Sequence, residues 1–210
     1  MNQEKKRLLL QIRDYLQSKK VKKINLLEIC EALDCQLNDI TKWASTPDEL
    51  LQCILDLKST ELKNVLNFEK YEGENAIDSM VISGQEIYER FEQLSPAKYV
   101  FIRDLNPELY QSCQDIKFEL IENHLSNNLD KGIETKEYKA NIDKEKIINK
   151  YIKRIKDIHS REYLNSEHFT FSNIFSNIFE DYLEEVATDE NWNYFRKRKQ
   201  FYEAISFGNR

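Results

Sequence analysis

Polar and aromatic side chains that can bond nucleic-acid bases are concentrated between positions 36 and 43 of this 210-residue chain. Asparagine and glutamine can each form two hydrogen bonds with adenine, threonine can contact the thymine methyl group, and lysine can bond guanine or a phosphate. This combination of side chains is therefore suited to the edges of DNA bases. The candidate DNA-binding residues are Gln36, Asn38, Thr41, Lys42 and Trp43, with Asn25 at the start of the preceding predicted helix.

Two short predicted helices and the tight turn between them must position these side chains. Asn25 can cap the first helix, because its side-chain oxygen can accept from backbone N–H groups of the first turn. Residues 34–36 break the helical pattern before a second apolar stripe begins. Two such helices form a helix-turn-helix, whose second helix can lie in the major groove of DNA. The two stripes at helical spacing are Leu26, Ile29, Cys30 and Leu33, and then Leu37, Ile40 and Ala44.

Three parts of this region carry a family likeness: residues 29–36 (ICEALDCQ), Ile40, and residues 47–51 (PDELL). Together they resemble the DNA-binding domain of TetR-type bacterial transcription regulators. The resemblance implies a three-helix DNA-binding head over residues 1–46, followed by a helical ligand-binding and dimerisation domain over residues 47–210.

At several places the chain differs from the usual TetR-type pattern. Asp34 stands in the turn where the family usually has glycine, and Pro47 replaces a lysine that commonly opens the next helix. Thr41 and Ala44 stand where a tyrosine and a phenylalanine are usual, and Trp43 where an aromatic residue or histidine is usual. These differences favour an alternative, in which the head keeps the fold but acts as a ligand- or protein-binding module without specific DNA binding.

The composition predicts an all-α protein. Glycine and proline, which interrupt helices, account for only 4 and 3 residues, while 32% of the residues are charged. An interruption between two helices is predicted at Asn106-Pro107. Gly132 is predicted to end a helix by adopting the left-handed backbone conformation. Apolar periodicity predicts helices over residues 3–19, 47–71, 75–94, 108–129, 143–158, 167–185 and 191–207.

The middle of the chain extends the likeness. Residues 103–107 (RDLNP), residues 130–133 (DKGI), Tyr138 and residues 141–143 (NID) resemble, in this order, the ligand-binding half of TetR-type proteins. Aromatic residues on consecutive predicted helices can line an apolar pocket for a small-molecule effector. The alternative is that they pack on one another as ordinary core. The candidate pocket residues are Tyr88, Phe91, Tyr99, Phe101, Tyr110 and Phe118.

The last two predicted helices are unusually rich in aromatic residues, as the cores of protein interfaces often are. The TetR-type resemblance implies that these helices pair with their copies in a second subunit, which makes the protein a homodimer. The alternative is that they complete the core of a single chain. The candidate interface residues are Phe171, Ile174, Phe175, Ile178, Phe179, Tyr182, Trp192, Phe195 and Tyr202.

Charge is distributed unevenly along the chain. The whole chain has a net charge of −6, but residues 1–46 contain nine basic and six acidic residues. Residues 47–210 contain 22 basic and 31 acidic residues. A basic head on an acidic body is compatible with DNA binding by the head. The lysines and arginine that flank the helix-turn-helix and can meet phosphates are Lys5, Lys6, Arg7, Lys19, Lys20, Lys22 and Lys23.

Sequence patterns of catalysis, cofactor binding and metal binding do not occur in the chain. The histidines are not paired at helical spacing, and the four cysteines have no metal-site spacing, so we expect neither enzyme activity nor a cofactor nor a metal. The cysteines are expected to be reduced buried thiols, with a redox pair of Cys30 and Cys35 as the alternative. Because no apolar run is long enough to span a membrane and none forms a signal-peptide core, the expected location is the cytoplasm.

Taken together, these features predict a homodimeric, TetR-like, DNA-binding transcriptional regulator, most simply a ligand-responsive repressor. Its expected partners are double-stranded operator DNA, a small-molecule effector and a second copy of the chain. The alternative function is that of a TetR-fold dimer whose head binds a ligand or a protein.

Overall fold

The computed structural model describes residues 2–90, 94–158 and 175–207. Within these ranges the backbone is helical and contains no strand, which confirms the all-α prediction. The α-helices are α1 (Gln3–Lys19), α2 (Leu26–Leu33), α3 (Leu37–Thr41), α4 (Pro47–Leu66), α5 (Ala76–Glu89), α6 (Val100–Leu105), α7 (Pro107–Glu134), α8 (Lys144–Ile158), α9 (Asp181–Val186) and α10 (Asp189–Phe207). Shorter turns are 3₁₀-helical at Phe68–Tyr71 and Pro96–Lys98, and π-helical at Phe175–Glu180.

Several helix ends lie where local sequence chemistry predicts them. The predicted helix 3–19 is confirmed, and its cap is the side chain of Asn2. Asn25 caps α2 as predicted, since its Oδ1 accepts from the Leu27 N–H at 3.0 Å. Pro107 begins α7 at the predicted break, because a proline lacks the N–H that would be unpaired in a first helical turn.

The turn between α2 and α3 requires an unusual backbone conformation. Asp34 has φ 51° and ψ 51°, in the left-handed region. Glycine is the residue that adopts this region at least cost, but aspartate tolerates it better than most other residues do. Asp34 can therefore keep the tight turn without the glycine that the TetR-type pattern has there.

The predicted role of Gly132 was wrong. Helix α7 continues through Gly132 to Glu134, and the left-handed residue after it is Lys136, with φ 64°. What requires glycine at position 132 is packing, because a Cβ there would lie 2.2 Å from Cδ2 of Tyr138. The helix predicted over residues 47–71 is shorter than expected. Helix α4 ends at Leu66, and a 3₁₀ turn follows it.

The chain divides into two compact units. The first unit comprises Met1–Asn64 and Glu92–Phe118, and the second comprises Val65–Phe91 and Glu119–Arg210. The predicted boundary between residues 46 and 47 lies inside the first unit, where α4 begins. The core of the first unit joins α1, α2, α3 and α4 with the segment around α6, and includes Leu9, Ile12, Leu16, Ile29, Ile40, Leu50, Ile54, Tyr99, Ile102 and Tyr110.

The second unit is built around the buried amide of Asn128 in α7. Its Nδ2 donates to the carbonyl oxygen of Ala76 at 2.7 Å and to Oγ of Ser79 at 3.0 Å. Its Oδ1 accepts from the hydroxyls of Tyr138 at 2.7 Å and Tyr182 at 3.0 Å. The hydrogen bonds of this one side chain therefore connect α5, α7, the loop before α8, and α9.

None of the helices in residues 2–90, 94–158 and 175–207 combines the length with the apolar composition that crossing a lipid bilayer would need.

Candidate nucleic-acid interface

Helix α3 is short and is held to the first unit at a single apolar point. Ile40 is completely buried in the core, and Ala44, one turn later, is buried as well. The start of α3 is stabilised by Asp39, whose Oδ2 accepts from the backbone N–H of Gln36 at 3.2 Å. These contacts fix which side of α3 faces inward, and therefore which side chains face solvent.

Three of the six predicted DNA-binding residues lie on the exposed edge of this element. Gln36, Asn38 and Lys42 are all solvent-exposed. The Lys42 ammonium lies 3.4 Å from Oδ1 of Asp39, but this pair is itself exposed and is therefore weak. We call Gln36, Asn38 and Lys42 the α3 edge; it presents two amides and one cation to solvent.

The other three predicted residues are differently placed. Asn25 is exposed, but its amide nitrogen donates to Oε1 of Glu28 at 3.0 Å while its oxygen caps α2. Thr41 is half-buried. The indole nitrogen of Trp43 is buried without an acceptor, and the ammonium of Lys5 lies 4.8 Å from the centroid of its ring. Trp43 thus joins α3 to α1, and its N–H does not face solvent.

The positive charge of residues 1–46 comes mainly from α1 and the loop after it. Lys6 forms an ion pair with Glu61, and Lys5 lies over Trp43. The solvent-exposed basic residues of this region are Arg7, Lys19, Lys20, Lys22 and Lys23.

Around α2 and α3 the charge is negative. Between residues 24 and 49 there are six acidic residues and one lysine. A phosphate backbone would meet repulsion from this surface, which the basic residues of α1 and its following loop would have to offset. The exposed carboxylates are Glu28, Glu31, Asp34, Asp48 and Glu49.

The thiol of Cys35, between α2 and α3, is protonated at neutral pH. Burial, the neighbouring Cys30 and the carboxylates of Asp39 and Asp34 raise the pKa of Cys35 to about 11. Because the thiolate is the reactive form of cysteine, this environment suppresses disulfide chemistry at Cys35. The prediction of reduced thiols thus fits the geometry better than the redox pair does.

The predicted pocket residues are divided between the two units. Tyr99 and Tyr110 are buried in the core of the first unit, and Phe101 packs against that core. Phe118 is half-buried, with the ammonium of Lys117 at 4.1 Å from its ring centroid. Tyr88 is half-buried in α5 of the second unit, and Phe91 lies outside the described residues. The burial of Tyr99 and Tyr110 agrees with the alternative of ordinary core packing.

The predicted interface residues are described only in part. Phe171 and Ile174 lie outside the described residues, as do the side chains of Phe175 and Tyr202. Trp192 is half-buried and stacks on Phe195, with 5.3 Å between ring centroids. The residues buried within a single chain are Ile178, Phe179, Tyr182 and Phe195. For these four, completing the core of the second unit is sufficient to explain their apolar character.

Sequence reasoning missed a group of buried cations in the first unit. Arg13 and Lys58 are each only 4% exposed, and both lie over the ring of Tyr99. A signal for Lys58 was present, because it follows Leu51 and Ile54 at i+7 and i+4 and so lies on the inner face of α4. A long basic side chain at an apolar position usually extends to the surface, which is why the spacing was not informative.

Comparison with known proteins does not assign the chain to a family. No family model, curated protein or solved structure matches this chain.

Proposed function

We propose that this protein is a TetR-like DNA-binding transcriptional regulator, a ligand-responsive repressor that acts as a homodimer. The observation that carries the proposal is the α3 edge. Gln36, Asn38 and Lys42 are exposed before, within and after a short helix that Ile40 holds in the core. Two amides and a cation exposed on and beside a helix that the core supports are suited to the major groove.

In the proposed mechanism, the α3 edge reads base edges while exposed basic residues hold the phosphates. Arg7, Lys19, Lys20, Lys22 and Lys23 supply the phosphate contacts, so the affinity falls steeply as salt concentration rises. Two heads in a homodimer bind a palindromic operator, with half-sites one helical turn or a multiple of it apart. An effector that favours a spacing of the two heads that does not match the operator weakens DNA binding. By thermodynamic linkage, bound DNA weakens effector binding by the same factor.

The test is a fluorescence-anisotropy titration with DNA from upstream of the protein's own gene, against a shuffled duplex of the same composition. Replacing Asn38 and Lys42 together by alanine should weaken binding to the upstream DNA by about 10- to 100-fold, the range expected for losing one bidentate base contact. The control is Lys63→Ala, which removes an exposed positive charge from α4. Equal affinity for the two duplexes would refute sequence-specific control.

A second candidate function is supported by the negative surface around α3. In this alternative the head is a helix-turn-helix module that binds a protein or ligand and does not read DNA. Glu31→Gln with Asp34→Asn distinguishes the two, because both residues are exposed and asparagine also tolerates the left-handed backbone of position 34. A DNA-binding head should gain affinity for upstream DNA when the repulsion is removed. A module should show no DNA binding before or after the change.

Homodimerisation is tested separately, by light scattering coupled to size-exclusion chromatography. A regulator with two heads should elute with twice the mass of one chain at micromolar concentration. A monomer under these conditions would refute the two-head arrangement, since one five-residue helix offers too few base contacts for a specific site.

A further inference from the structure

The second unit carries a concentrated block of positive charge in α8. Between residues 146 and 156 there are five basic residues and no acidic one, and the two carboxylates of the helix, Glu145 and Asp157, lie at its ends. The rest of this unit, residues 65–91, 119–143 and 159–210, contains 11 basic and 21 acidic residues. A local surplus of cations on an otherwise acidic unit attracts a polyanion to one place.

The apolar side of α8 determines which of its side chains face solvent. Ile147, Ile148 and Ile152 are buried in the second unit. Between the two ends of the helix, the exposed side chains recur three or four positions apart, so they share the opposite side: Lys146, Asn149, Lys150, Lys153 and Lys156. We call these five residues the α8 stripe; it extends over about 15 Å along the helix axis.

Three lysines of the α8 stripe are open to an external anion. In the described part of the chain, neither Lys146 nor Lys153 forms an ion pair. Nζ of Lys150 lies 2.6 Å from Oε2 of Glu185, but the two side chains are 47% and 34% exposed. A pair this exposed is weak, so a phosphate can replace the carboxylate.

The other dense basic run of this unit, residues 196–199 in α10, is arranged differently. Nε of Arg198 lies 3.1 Å from Oδ1 of buried Asp78, and Nζ of Lys199 lies 2.6 Å from Oε1 of Glu180. Two of its four cations are therefore used within the unit. This run is the weaker candidate for an interaction surface.

The neighbours of these lysines indicate the kind of anion. In α8, all of whose residues the structure describes, no apolar or aromatic side chain is solvent-exposed. Protein interfaces usually centre on apolar or aromatic side chains, membrane-bound helices insert an apolar face, and single-stranded nucleic acids stack their bases on aromatic rings. Cations and an amide without apolar surface instead fit the backbone of a duplex, which is bound through charge and hydrogen bonds.

We propose that the α8 stripe binds the phosphate backbone of double-stranded DNA, independently of base sequence. Over about 15 Å one strand of B-DNA presents about four phosphates, which matches the length of the α8 stripe and its four lysines. The amide of Asn149 can donate to a phosphate oxygen between them. The choice of DNA over RNA rests on the proposed function, to which α8 adds a second, sequence-independent contact.

The test is a fluorescence-anisotropy titration of the shuffled duplex between about 50 and 200 mM salt. Lys146→Gln with Lys153→Gln removes two cations of the α8 stripe. The affinity at 50 mM salt should fall about tenfold or more, and the slope of log K against log salt should become shallower by about 2. Lys146→Arg with Lys153→Arg keeps both charges and should keep both values.

The matched control removes the same charge elsewhere. Lys63→Gln with Lys197→Gln changes two lysines that are exposed but lie outside the α8 stripe. Because charges away from the contact are screened by salt, the affinity should stay within about twofold of the wild type. All these positions are exposed, so the melting temperature of each variant should stay that of the wild type.

Several outcomes would overturn the proposal. Equal losses in the stripe variant and the control would show that only net charge matters. No binding of the shuffled duplex by the wild type at 50 mM salt would remove the contact altogether. Stripe-dependent binding to polyglutamate, to phosphatidylserine–phosphatidylcholine vesicles or to double-stranded RNA that is as tight as binding to DNA would identify an acidic protein, a membrane or RNA as the partner instead.

Failure of this inference is distinguishable from failure of the proposed function. The stripe variant should weaken binding to the upstream and shuffled duplexes by the same factor, whereas Asn38→Ala with Lys42→Ala should act mainly on the upstream DNA. If the wild type binds both duplexes equally but the stripe variant binds them more weakly, sequence-specific control fails and the α8 contact stands. A stripe variant that binds both duplexes like the wild type removes the α8 contact and leaves the regulator.

Discussion

Buried polar side chains are hydrogen-bonded to different extents in the two units. In the second unit, Asn128 uses both amide hydrogens and accepts two hydroxyl hydrogens. Buried Asp78 is similarly bonded, by the amide of Asn75, the hydroxyl of Tyr194 at 2.6 Å and Nε of Arg198 at 3.1 Å. In the first unit, by contrast, the ammonium of Lys58 is buried against the ring of Tyr99 and has no hydrogen-bond acceptor.

The difference separates buried polar groups that stabilise the fold from those that destabilise it. A buried network in which every donor has an acceptor rigidifies a core, and it leaves nothing for a ligand to satisfy. A buried donor without an acceptor destabilises the folded chain until something supplies one. The second unit has its own exception in Nε2 of His124, but this is an acceptor on an uncharged ring, whereas Lys58 is a cation.

The largest expected effect is at the centre of the second unit. Asn128→Ala removes four hydrogen bonds and leaves the hydroxyls of Tyr138 and Tyr182 without their buried acceptor. We expect the free energy of unfolding to fall by about 4 kcal/mol, measured by urea denaturation at pH 7. Asn127→Ala, at the exposed neighbouring position of α7, is the control and should change it by about 0.5 kcal/mol or less. Similar losses in both variants would contradict the network.

The stability of the protein should be nearly as sensitive to a substitution at Gly132. Gly132→Ala places a methyl group 2.2 Å from the ring of Tyr138, whose hydroxyl is already held by Asn128. Overpacking of this kind should cost about 3 kcal/mol, at the upper end of its usual range. Gly73→Ala, where a Cβ meets nothing within 4 Å, should leave the urea midpoint almost unchanged. A Gly132→Ala protein as stable as the wild type would show that Tyr138 moves away freely.

Acid should weaken the second unit through His124. Burial of the imidazole lowers its pKa from 6.5 to about 4, although Nδ1 is hydrogen-bonded to the Leu66 carbonyl oxygen at 3.2 Å. Since the unfolded chain binds the proton more tightly, the contribution of His124 is complete above pH 6.5 and is lost as the pH falls to 4. The loss amounts to about 3 kcal/mol.

The measurement for His124 is urea denaturation at pH 7 and at pH 4.5, on the wild type and on His124→Gln. The amide of glutamine can donate to the same carbonyl group but does not titrate. Other acidic and basic groups affect both proteins equally, so the difference between their pH dependences isolates His124. An equal pH dependence of the free energy of unfolding in the two proteins would show that protonation of the imidazole does not destabilise the fold.

The smallest expected effect concerns Lys58 in the first unit. Here a substitution should raise the free energy of unfolding instead of lowering it. Because its pKa is lowered from 10.5 to about 8, the contribution of Lys58 is complete above pH 10.5 and lost as the pH falls to 8. Lys58→Met removes this cost at pH 7 but also the contact with Tyr99, so we expect a net gain of about 2 kcal/mol. The gain should shrink at pH 10. Destabilisation at pH 7 would mean that Lys58 is satisfied like Asn128.

Much of the local structure was predictable from neighbouring residues. The start of α1, the cap on α2 and the break before α7 depend on asparagine side chains and on a proline, which act within one helical turn. The α3 edge was predictable for a similar reason, since the apolar spacing of Ile40 and Ala44 determines which positions face outward. These features need no information about distant parts of the chain.

Three of the misses involve contacts between residues far apart in sequence or on neighbouring elements. The stop predicted at Gly132 failed because Tyr138, from the following loop, occupies the space beside it. Trp43 was predicted to face DNA, but Lys5 of α1 lies over its ring and its indole nitrogen is buried. Arg13 and Tyr99 are separated by 86 positions, and nothing in either local stretch indicates that they meet.

The sequence by itself determined that the chain is helical, where most helices begin, and which side of α3 is polar, because propensity, capping and periodicity act over a few residues. Only the tertiary structure decided which buried polar groups have partners, because a hydrogen bond across the core depends on atoms brought together from distant segments. That distinction makes Asn128 stabilising and Lys58 costly to the fold, although both are single polar residues on the inner face of a helix.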